Sequence, residues 1–458
     1  MAVTVTRMEP MEAVTPRPRP VWIDGVPEDG SEKRPVIHPY DGTEVATVSL
    51  PDAAQVERAV AGAAHFAGEK RSAGAPTAGH TLDRMATEVE KRGEEFAELL
   101  TAESAAPLTQ TAAEVRLAVA TLRHAARFAG QMRSTAAGPG LSAGSSAGEI
   151  VLTRRAPRGA ALGIVTPHRP LVSAAGAVAA ALVVDTSVVL TPTPRAPLST
   201  LALAEVLADT LASEPGPPRP FSVLPLETPD LLADDPRLCP LTSPTGHSRA
   251  VVLPDWPDLD AAAAAVAASV ADWAGRCHPP VRHVVAHAEC AEPFVTALAA
   301  ALRAHPTGEP YDTAVTVGPL ADADTARRAL APVTEAVSRG ATVVTGGEHS
   351  GPFVLPTLVT GVSPEESPHR GVLGPVVTLS VASTVEEALS TGLSPEPGAR
   401  HVAVFTRDLD LALRAAESTV ADRLVIGDVP RHRPDDVHAV VRALGREVVT
   451  VLAGRGAH

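Results

Sequence analysis

At 458 residues the chain is too long for one small core, and two or three domains are expected. Hydrophobic residues make up 45% and charged residues 20%, as in a soluble globular protein, while 3% aromatics leaves Ala, Val and Leu to fill the interior. The formal charge of −14 excludes electrostatic attraction to nucleic acid or to an anionic membrane surface.

Residues 1–20 are punctuated by Pro and Arg and predict a loose tail. Residues 21–48 alternate in short runs between Gly, Pro and Asp, which predicts strands and hairpins. Three helical patterns follow. Asp52 caps the first, with Val56, Val60 and Ala64 on one face. The second carries Leu82, Met85 and Val89, then Phe96, Leu99 and Leu100; the third carries Val115, Val119, Leu122 and Phe128. The small polar segment 134–147 reads as a flexible linker or as a loop between two edge strands. From Ala161 the pattern turns β-α-β-α. ALGIVT and SVVLT are short apolar runs bounded by turn residues, as buried parallel strands are. Residues 198–211 form a helix, and 214–220 break the chain with prolines and a glycine. Asp258 caps an Ala-rich helix over 259–273, followed by a strand at 281–286 and a helix at 292–303. A second β-α alternation runs from 325 to 406. The fold class is α/β with two sheet domains.

The cysteines Cys239, Cys277 and Cys290 show no paired spacing and read as free thiols in a reducing compartment. The N-terminus lacks a continuous apolar run, and the longest such run, 174–184, is too short to span a bilayer. A cytoplasmic protein is expected. The histidines are scattered and predict no metal site.

Seven segments, in order, resemble the aldehyde dehydrogenase superfamily: VWIDG with HPYDGTEVATV, PRGAALGIVTPHRPL, SVVLTPTPRAPLSTLALAEVL, DLDAAAAAVAASVADWAGRCHPPVRHVVAH, VGPLADAD through PTLVTGV, GVLGPVV, and AVFTRDLDLALRAAES. The resemblance implies an aldehyde dehydrogenase-like fold. A Rossmann-type cofactor domain would span 21–130 and 153–250, and a catalytic-type domain 251–430. Segments 131–152 and 431–458 would bridge the domains and build a small oligomerisation sheet.

It also implies a chemistry. Cys277, in GRCHPPVR, stands at the family's nucleophile, where a thiolate adds to an aldehyde carbonyl. Arg276 and His278 flank it, and a neighbouring cation favours thiolate. Taken alone, Cys277 reads better as a small residue buried at a strand entry; with the resemblance the two readings weigh equally. Where the family has an oxyanion-binding Asn, this chain has Pro167-His168-Arg169-Pro170. His168 or Arg169 can donate a hydrogen bond there, Arg169 can instead bind a carboxylate or phosphate, or the turn is a solvated loop. The family's general-base Glu has no counterpart, which leaves His278 as the nearby base. Thr191 and Pro194 replace a Lys and a Glu that contact ribose. Ser243-Pro244-Thr245-Gly246-His247-Ser248 replaces the glycine-rich turn at the pyrophosphate, and Gly371 a further Glu. The hydroxyls of Thr191, Ser243, Thr245 and Ser248 are the remaining candidate contacts, and NAD or NADP binding is expected to be weak or lost.

Two readings of function follow. The first is a degenerate family member serving as a structural or regulatory subunit, as a homo-oligomer or with an active relative. The alternative is an active thiol-dependent aldehyde oxidoreductase, or an acylating relative, using Cys277 and NAD(P) on a small aldehyde.

Overall fold

A computed structural model describes residues 18–69, 77–129, 135–137, 150–214, 219–242, 246–276, 279–362, 374–394 and 399–452. Two large sheets organise the chain. The first runs Leu238–Thr242, Ala160–Val165, Val188–Pro192, Phe221–Val223, Val21–Ile23, Val26–Glu28. Its first four strands are parallel and the last two form an antiparallel hairpin. Helices cover both faces, so the parallel strands can be apolar throughout. The helix Ala53–Gly68 packs Ala59, Val60 and Ala63 on one face. It opens on the predicted Asp52 cap, whose carboxylate accepts from the Gln55 N–H at 2.7 Å.

The other face carries Pro170–Val183 and Leu198–Ala212, backed by Ala78–Lys91, Gly93–Ser104 and Leu108–Ala129. Pro170–Val183 is the central helix, and all of it except Ser173 and Gly176 is buried. Its alanines let it lie close to the sheet. A Cβ on Gly163 would come within 2.8 Å of the Ala177 methyl, so only glycine permits that approach.

The second sheet runs Thr342–Thr345, Thr357–Thr360, Val376–Ala382, Val281–His287, His247–Val252, Ala399–Phe405, Arg423–Ile426. Only its first pair is antiparallel. Leu259–Ala271 and Ala288–Arg303 cover one face, and Val385–Leu393 lies on the other. The strand His247–Val252 pairs with Val281–His287 and Ala399–Phe405. Hydrogen bonding thus commits this strand to the second sheet, whereas the expected first domain ran to 250.

A third, antiparallel sheet joins Gly445–Leu452 to Ile150–Pro157 and Thr135–Ala137. It uses the segments expected to bridge the domains, but its middle strand continues to Pro157, beyond the expected limit of 152. The helix Val437–Leu444 leads into this sheet and buries Val437, Val441 and Leu444 in the core of the first domain. Pro18–Arg19 pairs with Thr47 and Val48, so the expected tail is tied down at its last residues; 1–17 lie outside the described residues. Most of the 134–147 segment also lies outside them. Among the described residues, no helix is long and apolar enough to cross a membrane.

Candidate active site

The carboxyl end of the first sheet meets the amino end of the second, and two turns face each other there. The first turn follows Ala160–Val165. Arg169 adopts a left-handed conformation (φ 57°) and opens the helix at Pro170, whose missing N–H would find no helical partner at that position anyway. Its guanidinium donates to Asp272 at 2.5 Å, on the second turn, and so ties the two together. The Thr166 hydroxyl donates to the His168 carbonyl at 2.7 Å. Burial, together with the charge of Arg276, holds the His168 imidazole well below its usual range, so the ring is neutral.

The second turn, Asp272–Gly275, is strained. Trp273 (φ 51°), Ala274 (φ 50°) and Gly275 (φ 69°) are left-handed in succession. For the two residues with a Cβ this costs roughly 1–2 kcal/mol each. Such strain persists only where the surroundings over-determine it. Gln110 accepts from the Trp273 N–H at 2.9 Å and donates to the Thr316 carbonyl at 2.8 Å. Arg276 donates to the carbonyls of Trp273 and Pro319. Arg282, buried in Val281–His287, donates to the carbonyls of Gly275 and Gly374. Burial pulls the Arg282 pKa down to about 10, which still leaves it charged at neutral pH. A Cβ on Gly275 would lie 2.1 Å from the Gly374 oxygen, so the position demands glycine.

Cys277 and His278 lie outside the described residues. The chain is pinned on both sides of them: Arg276 by the bonds above, Pro279 and Pro280 by Ser248. The Ser248 hydroxyl donates to the Pro279 carbonyl at 2.9 Å and its N–H to Pro280 at 2.8 Å. Ser248, expected at a dinucleotide, is buried and supports the residues that follow the candidate nucleophile. Thr191, also expected at a dinucleotide, is buried and its hydroxyl donates to the Pro229 carbonyl at 2.7 Å. Ser243 and Thr245 lie outside the described residues.

Glu114, on Leu108–Ala129, stands over the amino end of Pro170–Val183. One carboxyl oxygen accepts from the Val172 N–H at 3.2 Å, and the other is enclosed without a hydrogen-bond partner among the described residues. Burial pushes its pKa up to about 8, opposed by Arg169. Four residues that sequence reasoning missed therefore build this site: Gln110, Glu114, Asp272 and Arg282. The available signals were Gln110 and Glu114 one turn apart on one helix, and a lone Arg inside the apolar run VRHVV.

A cavity of about 370 Å³ opens beside the two turns. Its walls include Arg169, Asp272, Pro279 and Pro280 on the turn side, Gln110, His305 and Thr316, and the loop residues Pro430, Arg431 and His432. Among the described residues, no Phe, Tyr, Trp, Leu, Ile, Val or Met side chain lines it.

Two of the expected dinucleotide contacts are engaged within the protein. In a doubly wound fold, pyrophosphate rests on the N–H groups that open a helix after a strand. Here only residues 243–246 separate the strands Leu238–Thr242 and His247–Val252, too few for a helix between them. Thr191 and Ser248 have committed their hydroxyl hydrogens to carbonyls. Thr191 and Ser248 therefore offer no hydroxyl hydrogen to a dinucleotide, and Ser243 and Thr245 lie outside the described residues.

The chain is similar along most of its length to 3-sulfolactaldehyde dehydrogenase of Priestia aryabhattai, with 26% identity over 436 residues, 91% of each chain. It is 27% identical over 411 residues to the NADP-linked succinate-semialdehyde dehydrogenase of Deinococcus radiodurans, covering 83% of this chain and 84% of that one. Its fold matches that of an aldehyde dehydrogenase from Physcomitrella patens, solved in complex with succinate, with a TM-score of 0.87 and 23% identity, covering 97% of this chain and 100% of that one. The pattern of the aldehyde dehydrogenase family fits residues 26–230 and 242–439, and with the two-sheet architecture on the page, the chain belongs to that family.

Proposed function

We propose that this protein processes small aldehydes through covalent addition of Cys277 to the carbonyl. The observation that carries this reading is the strained turn Trp273–Gly275. Five side chains, Gln110, Asp272, Arg276, Arg282 and Ser248, hold the backbone on either side of Cys277 against an open cavity. A merely structural cysteine needs no such support. In the step, the Cys277 sulfur bonds to the carbonyl carbon and the carbonyl π pair moves to oxygen. His278 is the adjacent group to take the thiol proton, and His168 and Arg169 are the candidate donors for the oxyanion. Relatives named as dehydrogenases, matching 91% and 83% of this chain, support an oxidoreductase, with NAD or NADP as a weakly held co-substrate.

A second reading, a non-catalytic subunit that assembles with copies or with an active relative, is favoured by one observation. The four-residue link 243–246 removes the helix on which a pyrophosphate would rest. The two readings part on turnover. The protein and its Cys277→Ser variant are offered short aldehydes with NAD or NADP at millimolar concentration. The catalytic reading expects turnover that the variant loses by at least about 10³-fold. Turnover that survives in the variant refutes Cys277 as the nucleophile, and no turnover in either supports the subunit.

A further inference from the structure

His124 and His438 lie 314 positions apart in the chain and meet at their ring edges. His124 stands on Leu108–Ala129, in the helical layer of the first domain. His438 stands in the first turn of Val437–Leu444, the short helix that runs directly into the bridging strand Gly445–Leu452. Their Nε2 atoms are 3.0 Å apart. Phe128, one turn beyond His124, lies against the His438 ring with centroids 3.9 Å apart, and so holds its plane.

Two neutral imidazoles can share one Nε2 proton across such a gap. The ring centroids, however, are only 4.7 Å apart, with the planes inclined at 44°. Rings meeting end to end across the same gap would stand farther apart, so the Nε2 atoms point obliquely to the line between them. An N–H···N bond bent in this way is a weak one. Two nitrogens bound to one cation at about 2.1 Å, and meeting at roughly a right angle, lie about 3 Å apart; a tetrahedral ion would set them about 3.4 Å apart. The observed separation is that of neighbouring ligands on a square-planar or octahedral ion. Both rings are half-buried, and His124 lines a cavity of about 1140 Å³ beside Pro434, which gives a cation an entry path and room for coordinating water. Arg442 and Asp435 bear on His438 with opposite signs. Among the described residues no third His, Cys, Asp or Glu joins the pair, so the protein supplies two ligands and water the others.

We propose that His124 and His438 form a two-histidine site for a divalent transition-metal ion, nickel or copper in preference to zinc, which clips the bridging sheet to the first domain. The proposal corrects the expectation, drawn from their scatter in sequence, that the histidines hold no metal, and it is independent of any chemistry at Cys277. The full chain, stripped of metal by a chelator, is given one equivalent of Cu(II) and its electron paramagnetic resonance is recorded; the expected spectrum is tetragonal with coupling to two imidazole nitrogens. Calorimetry with Ni(II) is expected to find one site in the micromolar range, weaker for Zn(II), and weakened at least about tenfold for Ni(II) in His124→Gln and in His438→Gln. The double variant should bind no more weakly than either single one, because each removes the same site. Ni(II) should also raise the thermal midpoint of the wild type and of neither variant. A wild-type spectrum without nitrogen coupling, affinity unchanged in both variants, or weakening in one variant alone overturns the proposal. The wild-type spectrum needs no variant, so a variant that fails to fold leaves the test intact.

Discussion

Glu114 shows how the site restricts single residues. A glutamate free in water loses its proton near 4.5, whereas burial holds this one to about 8. The folded state therefore binds a proton that the unfolded state has released across that interval. The stabilisation from the neutral carboxyl is complete below about 4.5 and is lost as pH rises towards 8. Glu103 adds to the same slope. Burial raises it to about 7 against the Leu198 and Ser199 donors it accepts from. The expected outcome is a thermal midpoint that falls from about pH 5 to pH 9, and falls less steeply in Glu114→Gln, whose amide keeps the acceptor for Val172 and carries no titrating proton. Melting curves across that range check this; parallel wild-type and variant profiles would contradict it. At this scale the sequence was partly legible. His168 and Arg169 were named because they stand at a recognisable turn, which the structure places beside Asp272; Cys277 lies outside the described residues. Asp272, Gln110 and Arg282 were not named, because their roles depend on partners 103, 163 and 92 positions away, which local patterns do not register.

At the scale of elements, apolar runs and caps were the readable part. Asp52, Asp258 and the β-α-β run from Ala161 all appear as expected, because capping and burial are set within a few residues. The second helical pattern divides at Arg92 into Ala78–Lys91 and Gly93–Ser104. Strand ownership was not readable: His247–Val252 looks like the end of the first domain until its partners are known. The short link before it has a direct consequence. With no helix opening after Leu238–Thr242 and with Thr191 turned to Pro229, calorimetry with NAD or NADP should give dissociation constants no tighter than about millimolar, the range of a few unsupported contacts. Micromolar affinity for either would contradict this and would point to Ser243 and Thr245 as replacement contacts.

For the whole molecule, the site exists because two separately built sheets are locked together. Arg169 comes from the first and Asp272 from the second, and Gln110 reaches from the helical layer of the first domain to the Trp273 turn. The ordered family motifs made this architecture legible from the sequence. The support around the Cys277 turn became visible only with the fold. The central claim is that this support serves a reactive thiol, and the three cysteines provide an internal comparison. Burial raises the Cys239 and Cys290 thiols above their usual range and so slows them as nucleophiles. The most direct measurement is the rate of alkylation at each cysteine at neutral pH, followed by peptide mass spectrometry with and without a short aldehyde. The account predicts that Cys277 is modified fastest and that the aldehyde protects it and neither of the others. Modification of Cys277 no faster than Cys239, with no protection by the aldehyde, would contradict it.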